Sequence, residues 1–134
     1  QSLVDVCNKY EKPVTKEFPL HDKGNLTSRV EWIAKHKNAD DAEAHKVIGS
    51  SSNVFQSYPF ALFMFQKYWN NPVGGLIETI NYGGDCDTTG AMYGALAGAK
   101  NGMIFPSAWL DFLQNRDKII KLGQNLYELS GKNG

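Results

Sequence analysis

This sequence of 134 residues has no excess of charge of either sign. Lysine and arginine together number 14, aspartate and glutamate also number 14, and the formal net charge is zero. Nucleic-acid-binding surfaces normally carry a basic excess, so this balance argues against such a partner. The nearest basic cluster is predicted to be a solvated helix face; it comprises Lys35, His36, Lys37 and Lys46.

Long apolar runs are also missing. No stretch approaches the roughly 18 residues that a membrane-spanning helix needs, so no membrane partner is predicted. Glycine recurs at Gly90, Gly94 and Gly98, a spacing that also occurs in membrane helix dimers. Because Asp87 and Lys100 bound this repeat, the segment is too short for a membrane, and we predict close packing in a helical core instead.

Cysteine is scarce, and histidine shows no metal-ligand spacing. Cys7 and Cys86 are the two cysteines, and they form no CxxC pair. We therefore predict no disulfide framework and a reducing, cytoplasmic location. The three histidines share no helical face, which predicts surface or satisfied core histidines; they are His21, His36 and His45.

Strand patterns are absent, and apolar residues recur with helical spacing instead. The positions Leu3, Val6 and Tyr10, with Cys7 between them, follow the pattern of an amphipathic helix. A chain of this length forms one domain at most, with a single core. We predict an all-α fold with helices near residues 3–10, 28–37, 40–48, 58–69, 73–82, 90–100, 107–110 and 118–129, and an irregular connector over 12–24.

Two helix starts carry capping signals. Ser28 and Glu31 have the spacing of a capping box. Asp40 and Glu43 suggest a second cap, and Gly49 is predicted to end that helix.

The helix predicted over residues 58–69 is almost uniformly apolar, and Pro59 is expected in its first turn. Its large apolar side chains exceed what one side of a helix can hide, which predicts an exposed apolar face; they are Phe60, Phe63, Met64 and Phe65. The side chains predicted to point inward from the following helix are Leu76, Ile77 and Ile80.

The most informative stretch is Gly83-Gly84-Asp85-Cys86-Asp87-Thr88-Thr89-Gly90. Asp85, Asp87 and Thr88 place two carboxylates and a hydroxyl at a glycine turn before a helix. Neighbouring carboxylates repel one another, and oxygen donors suit a hard divalent cation. Spacing alone leaves open the alternative that an aspartate caps the helix. A calcium loop of the EF-hand type is excluded, because its twelfth position requires glutamate and is Leu96 here.

Residues 83–102, GGDCDTTGAMYGALAGAKNG, strongly resemble the C-terminal signature Gly-Gly-Asp-x-Asp-Thr of the ADP-ribosylglycohydrolase family. Residues 48–62 resemble a second segment of that family, in which a glycine-containing loop leads into an aromatic residue, Ser, Pro and Ala at a helix start. Cys86 and Thr89 depart from the common residues without removing an oxygen ligand. The resemblance implies the compact orthogonal helical fold of the family.

The resemblance also implies a hydrolase that cleaves the glycosidic bond between ADP-ribose and an acceptor such as an arginine, a serine or an acetyl group. Family members use two Mg²⁺ or Mn²⁺ ions, and one set of their ligands corresponds to Asp85, Asp87 and Thr88 here. The loop that lines their ADP-ribose pocket corresponds to the segment containing Ser50, Ser51 and Ser52. The alternative for these serines is an ordinary polar loop.

Part of the family pattern is missing from this sequence. The family's N-terminal Thr-Asp-Asp segment has no counterpart here. Asp40 and Asp41 are adjacent, but Ala39 stands before them in place of threonine. Since family members are typically about twice as long, we interpret the chain as a C-terminal half, inactive alone, whose catalytic base lies in the absent N-terminal half. Its expected partners are an ADP-ribosylated substrate and that missing half or a second copy. The alternative is a non-catalytic, crystallin-like member with a binding or structural function.

Overall fold

The computed structural model describes residues 2–11 and 25–131. In these residues it contains eight α-helices and no strand, which confirms the predicted all-α class. The predictions for the 12–24 connector and for His21 lie outside the described residues. In chain order the helices are α1 Leu3–Tyr10, α2 Leu26–Lys35, α3 Asp41–Ile48, α4 Val54–Lys67, α5 Pro72–Asn81, α6 Cys86–Asn101, α7 Ser107–Asp111 and α8 Arg116–Gly131.

The helices belong to two compact units. Residues 1–102 form the first unit, which contains α1 to α6, and residues 103–134 form the second, which contains α7 and α8. In the first unit α4 contacts α2, α3, α5 and α6, while α1 contacts α2 and α5 contacts α6. Helix α4 is therefore the centre around which the first unit packs.

Helix α4 is buried over a continuous apolar run. Phe60, Phe63 and Met64 are 0%, 1% and 0% exposed. Burying a side chain of this size stabilises a fold by about 1.5–3 kcal/mol. The predicted exposed apolar face is therefore wrong for these three residues, because the four helices that contact α4 cover them. Phe65, at the end of the run, is half-buried.

The start of α4 also differs from the prediction. The helix begins at Val54 rather than at Tyr58, because the Asn53 side chain accepts a hydrogen bond from Phe55 N–H at 3.0 Å. Pro59 consequently lies beyond the first turn, inside the helix. A proline there removes one backbone hydrogen bond, and the complete burial of Pro59 in the core offsets that loss.

Helix α2 begins before the residues predicted to cap it. The capping box of Ser28 and Glu31 does not form, because Ser28 lies inside the helix and its N–H donates to the side chain of Asn25 at 2.8 Å. The carboxylate of Glu11 accepts hydrogen bonds from two further N–H groups of the first turn, each at 2.8 Å. These partners satisfy donors that a helix start leaves unpaired, and they move the boundary to Leu26.

Helix α3 has the predicted boundaries. The Asp40 side chain accepts a hydrogen bond from Glu43 N–H at 3.0 Å, which confirms the cap. Gly49, with φ 81°, follows the last residue of the helix. Asp41 attaches α3 to the end of α4, since the ammonium of Lys67 lies 2.6 Å from its Oδ1 atom.

The buried face of α5 is not the predicted one. Ile77 and Ile80 are 39% and 41% exposed and Leu76 is only half-buried, whereas Gly75 and Thr79 are buried. The Thr79 hydroxyl donates to the carbonyl of Gly75 at 2.6 Å, so this buried polar group is satisfied. The side chains of Leu76 and Ile80 do reach Gly90 of α6, but the buried positions of α5 are those of Gly75 and Thr79.

Helix α6 buries a stripe of residues four positions apart, Thr89, Tyr93 and Ala97. Tyr93 is completely buried, and a Cβ atom on Gly75 would overlap its hydroxyl group. Burial raises the pKa of Tyr93 to about 12. The glycine in α5 is therefore what makes room for the largest side chain of α6.

The glycine repeat of α6 packs closely at one position only. A Cβ atom on Gly90 would lie 2.9 Å from Ile80 Cγ2, whereas one on Gly94 or Gly98 would meet no described atom within 4 Å. The predicted close packing is thus correct for Gly90 and wrong for the other two glycines. The reason is that the buried stripe of α6 runs one residue away from the repeat.

The second unit contains the two helices predicted at the end of the sequence. They extend somewhat further than expected, over Ser107–Asp111 and Arg116–Gly131. An ion pair of 3.0 Å joins Arg116 to Asp111 within this unit. Neither its described residues nor those of the first unit include a helix long and apolar enough to cross a membrane.

The Glu11 carboxylate links α1 to α2 in a pH-dependent way. Burial opposes its ionisation, but hydrogen bonds from Thr27 and Leu26, together with the charge of Arg29, hold the pKa of Glu11 below its ordinary value. A carboxyl group whose pKa falls on folding stabilises the folded state above its unfolded pKa. That contribution is lost as the pH falls through the folded pKa.

We expect Glu11→Gln to lower the free energy of unfolding by about 1–3 kcal/mol at neutral pH, because backbone donors lose a charged acceptor. Below about pH 5 the variant should lose less stability than the wild type, since it has no carboxylate to protonate at this position. Urea unfolding across this pH range measures both effects. Glu128→Gln, at an exposed position of α8, is the control. Parallel pH curves for Glu11→Gln and wild type would contradict the assignment.

Candidate metal and substrate site

The turn between α5 and α6 contains two consecutive glycines in an unusual conformation. Gly83 and Gly84 have φ values of 74° and 70°, which residues with a side chain rarely adopt. A Cβ atom on Gly84 would also overlap the carbonyl and the hydroxyl of Ser50, whereas one on Gly83 would meet nothing within 4 Å. Gly84 is therefore needed for a close approach as well as for its conformation.

Ser50 holds the loop between α3 and α4 against this turn. Its carbonyl accepts a hydrogen bond from Asp85 N–H at 2.8 Å, and its hydroxyl donates to the carbonyl of Gly83 at 3.2 Å. Ser50 itself is only 4% exposed. The structure thus brings together the two segments that carry the family resemblance, across 33 positions of sequence.

Asp85 and Asp87 lie at the N-terminus of α6. Asp85 occupies the N-cap position, but its side chain makes no capping hydrogen bond, so the capping alternative fails for this residue. Asp87 is exposed in the first turn. The neighbouring side chain of Asp85, followed by the backbone N–H groups of Thr88 and Asp87, lowers the pKa of Asp87. The two carboxyl groups are therefore neighbours.

Within the part of the chain that the structure describes, neither aspartate forms an ion pair. The two carboxylates and the Thr88 hydroxyl offer oxygen donors, which Mg²⁺ and Mn²⁺ prefer. Over the same residues, no group of three or more His, Cys, Asp or Glu side chains could hold a metal ion. The donor set therefore fits one side of a divalent-cation site and does not complete it.

The three serines of the loop differ in exposure. The hydroxyl of Ser50 is buried and bonded to protein atoms, whereas Ser51 and Ser52 are exposed. Within the loop, Ser51 Oγ accepts a hydrogen bond from Asn53 N–H at 3.3 Å. Ser51 N–H donates to Gln56 Oε1 at 3.2 Å. Contact of the serines with substrate stays a prediction, and Ser51 and Ser52 are the two that solvent reaches.

His45 also belongs to this site, although the sequence pointed to no function for it. Its Nε2 atom lies 2.8 Å from Ser50 Oγ, so the histidine is satisfied within the fold. No sequence signal could have found this contact, because it joins the end of α3 to a residue five positions later across Gly49. That spacing matches no helical face and no ligand motif.

The fold and this turn agree with a comparison against known protein families. The sequence model of the family described as ADP-ribosylglycohydrolase matches residues 2–134. The chain therefore belongs to the ADP-ribosylglycohydrolase family.

Three individual proteins illustrate the relationship. An uncharacterized protein of Archaeoglobus fulgidus is 30% identical over 104 residues, which cover 78% of this chain and 33% of that protein. ADP-ribosylhydrolase ARH3 of Bos taurus is 28% identical over 120 residues, 79% of this chain and 33% of that protein. The ADP-ribosyl-dinitrogen reductase glycohydrolase of Rhodospirillum rubrum is 59% identical over 39 residues, 28% of this chain and 13% of that protein.

The chain thus spans about a third of the length of the first two relatives. No solved structure matches it. The family assignment rests on sequence, and the helices of the described residues agree with the helical fold of that family.

Gly84→Ala should destabilise the protein more than Gly83→Ala does. Both substitutions force a side chain into a positive φ, at about 1 kcal/mol or more. Only the Cβ at position 84 meets Ser50, and such overlap adds about 1–3 kcal/mol. Urea unfolding of the two variants measures the difference. Equal losses would mean that Gly84 is required for its conformation alone.

Proposed function

We propose that this chain is part of a metal-dependent hydrolase that removes ADP-ribose from an acceptor by cleaving its glycosidic bond. Family membership and the names of two relatives, an ADP-ribosylhydrolase and an ADP-ribosyl-dinitrogen reductase glycohydrolase, support the reaction class. The observation that carries the proposal is the 2.8 Å hydrogen bond from Asp85 N–H to Ser50. It sets a polar loop beside the adjacent carboxylates of Asp85 and Asp87.

Asp85, Asp87 and Thr88 are the proposed metal ligands. Their oxygen atoms suit Mg²⁺ or Mn²⁺, and a pair of carboxylates with no ion-pair partner among the described residues favours a bound cation. Two such ions in the intact enzyme would polarise the substrate, orient water and stabilise developing charge. Three residues supply too few ligands for two ions, so we propose that other ligands and the catalytic base come from outside the described residues.

Ser51 and Ser52 are the proposed contacts to ADP-ribose. Both are exposed on the loop that Ser50 holds against the glycine turn. Hydroxyl and backbone N–H groups of a loop suit phosphate and ribose oxygens. In this proposal Ser50 holds the loop in place and does not contact the substrate, because its own hydroxyl is buried and bonded to the protein.

Asp87→Ala should weaken Mn²⁺ binding to the intact protein by about tenfold or more, because a carboxylate ligand is lost. Isothermal titration calorimetry with Mn²⁺ measures the affinity. Asp117→Ala is the matched control, since Asp117 lies in the first turn of α8, a helix of 16 residues like α6. It removes a comparable charge from a helix N-terminus. Equal affinity of Asp87→Ala and wild type would remove Asp87 from the ligand set.

Ser52→Trp should weaken ADP-ribose binding by about tenfold, because the bulky ring would obstruct the loop surface. The free energy of unfolding should change by less than about 0.5 kcal/mol, since Ser52 is exposed. Ser51→Trp tests the neighbouring position, with the added loss of its hydrogen bond to Asn53. Ser107→Trp, at an exposed position in α7, is the control. Unchanged ADP-ribose titrations for both loop variants would place the substrate elsewhere.

A further inference from the structure

The side chain of His45 is fixed by the core on one side and reaches the candidate site on the other. It lies in the last turn of α3. Its ring packs against the rings of Phe60 and Tyr82, whose centroids are 5.3 and 5.1 Å away. Tyr82 is the C-cap residue of α5 and directly precedes the glycine turn. With the ring held in this way, Nε2 is directed at Ser50 Oγ, 2.8 Å away.

The hydrogen bonds at Ser50 determine which atom donates in each pair. A serine hydroxyl has a single proton, and that of Ser50 is donated to the carbonyl of Gly83 at 3.2 Å. In this arrangement Ser50 Oγ accepts from His45, whose proton is assigned to Nε2 from these two partners. The result is a directed chain of hydrogen bonds from His45 through Ser50 to Gly83.

Ser50 in turn holds the glycine turn on both sides of Gly84. Its hydroxyl binds the carbonyl of Gly83, and its carbonyl binds the N–H of Asp85 at 2.8 Å. A hydroxyl group rotates to suit its partners, so removing the donor on His45 would free it to turn away from Gly83. The orientation of the turn thus depends on a hydrogen bond that comes from α3.

We propose that His45 is a positioning residue for the metal ligands, acting through Ser50 and Gly83 on the turn that leads to Asp85. The inference rests on the proposed metal-binding function of this turn, and it gives His45 no contact with metal or substrate. Removing a residue that orients a metal ligand without touching the metal typically weakens metal binding by about 10–100-fold.

His36 offers a contrast within the same chain. Its Nδ1 atom lies 2.8 Å from the carbonyl of Trp32, one turn earlier in the helix, and its ring stacks on Trp32 at 4.5 Å. A substitution at His36 therefore removes a histidine with a hydrogen bond and a ring contact, yet leaves the bonds of Ser50 intact. This makes His36 a matched control for His45.

Two substitutions separate hydrogen bonding from packing at position 45. His45→Gln keeps an N–H donor but loses the ring, whereas His45→Phe keeps a ring but loses the donor. In the intact protein we expect His45→Phe to weaken Mn²⁺ binding by about tenfold and His45→Gln to stay within about threefold of wild type. Ser50→Ala breaks the next link and should match His45→Phe, while His36→Phe should leave the affinity unchanged.

Amide hydrogen exchange of the metal-free protein provides a second measurement that involves no metal. The Asp85 N–H, which is bonded to Ser50, should exchange about tenfold faster in His45→Phe than in wild type. In His45→Gln it should exchange close to the wild-type rate. If packing of the ring were what mattered, the two variants would show the opposite order.

Unchanged Mn²⁺ affinity in His45→Phe would overturn the inference, whether or not the turn exchanges faster. A larger effect in His45→Gln than in His45→Phe would overturn it as well. If His45→Phe does not fold, the same two measurements on Ser50→Ala and His45→Gln decide between these outcomes. Failure of the proposed function is distinguishable, because Asp87→Ala would then bind Mn²⁺ as tightly as wild type.

Discussion

The hydrogen bond from Asp85 N–H to the carbonyl of Ser50 is the interaction on which the candidate site depends. It joins the start of α6 to the loop before α4, two segments that become neighbours because both helices pack in the first unit. The bond requires the two backbones to approach closely, and Gly84 is the residue that allows this approach. A polar loop and a pair of carboxylates are thereby held side by side, which neither segment could achieve alone.

The carboxylates of this chain differ in how their charge is satisfied. Glu11 accepts two backbone N–H groups at the start of α2, and Asp41 pairs with Lys67 at the end of α4. Asp85, by contrast, stands at a helix N-cap without capping it, next to the carboxyl group of Asp87. Adjacent carboxylates without a cation repel one another. No cationic side chain among the described residues pairs with either aspartate, which is the physical reason to connect the pair with binding.

Most of the fold could be predicted from the sequence because helix signals are local. Apolar spacing and helix-breaking residues located each helix of the described chain, and Gly49 ended α3 as expected. The errors arose where a remote contact decided the outcome. Helix α2 begins early because Glu11, 15 residues before Leu26, satisfies its first N–H groups. Helix α5 turns Gly75 inward because the ring of Tyr93 occupies the space beside it.

The sequence by itself determined the family, which the match over residues 2–134 confirms, and it predicted the oxygen donors of the proposed site. Oxygen donors next to one another at a glycine turn are a property of residue type and near neighbours, so no coordinates are needed to recognise them. Only the tertiary structure decided that Ser50 is buried while Ser52 is exposed, and that His45 reaches the turn through Ser50. Those distinctions depend on contacts between segments that are far apart in the sequence. The deciding hydrogen bond from Ser50 to Gly83 spans 33 positions, and no local pattern contains the geometry of such a contact.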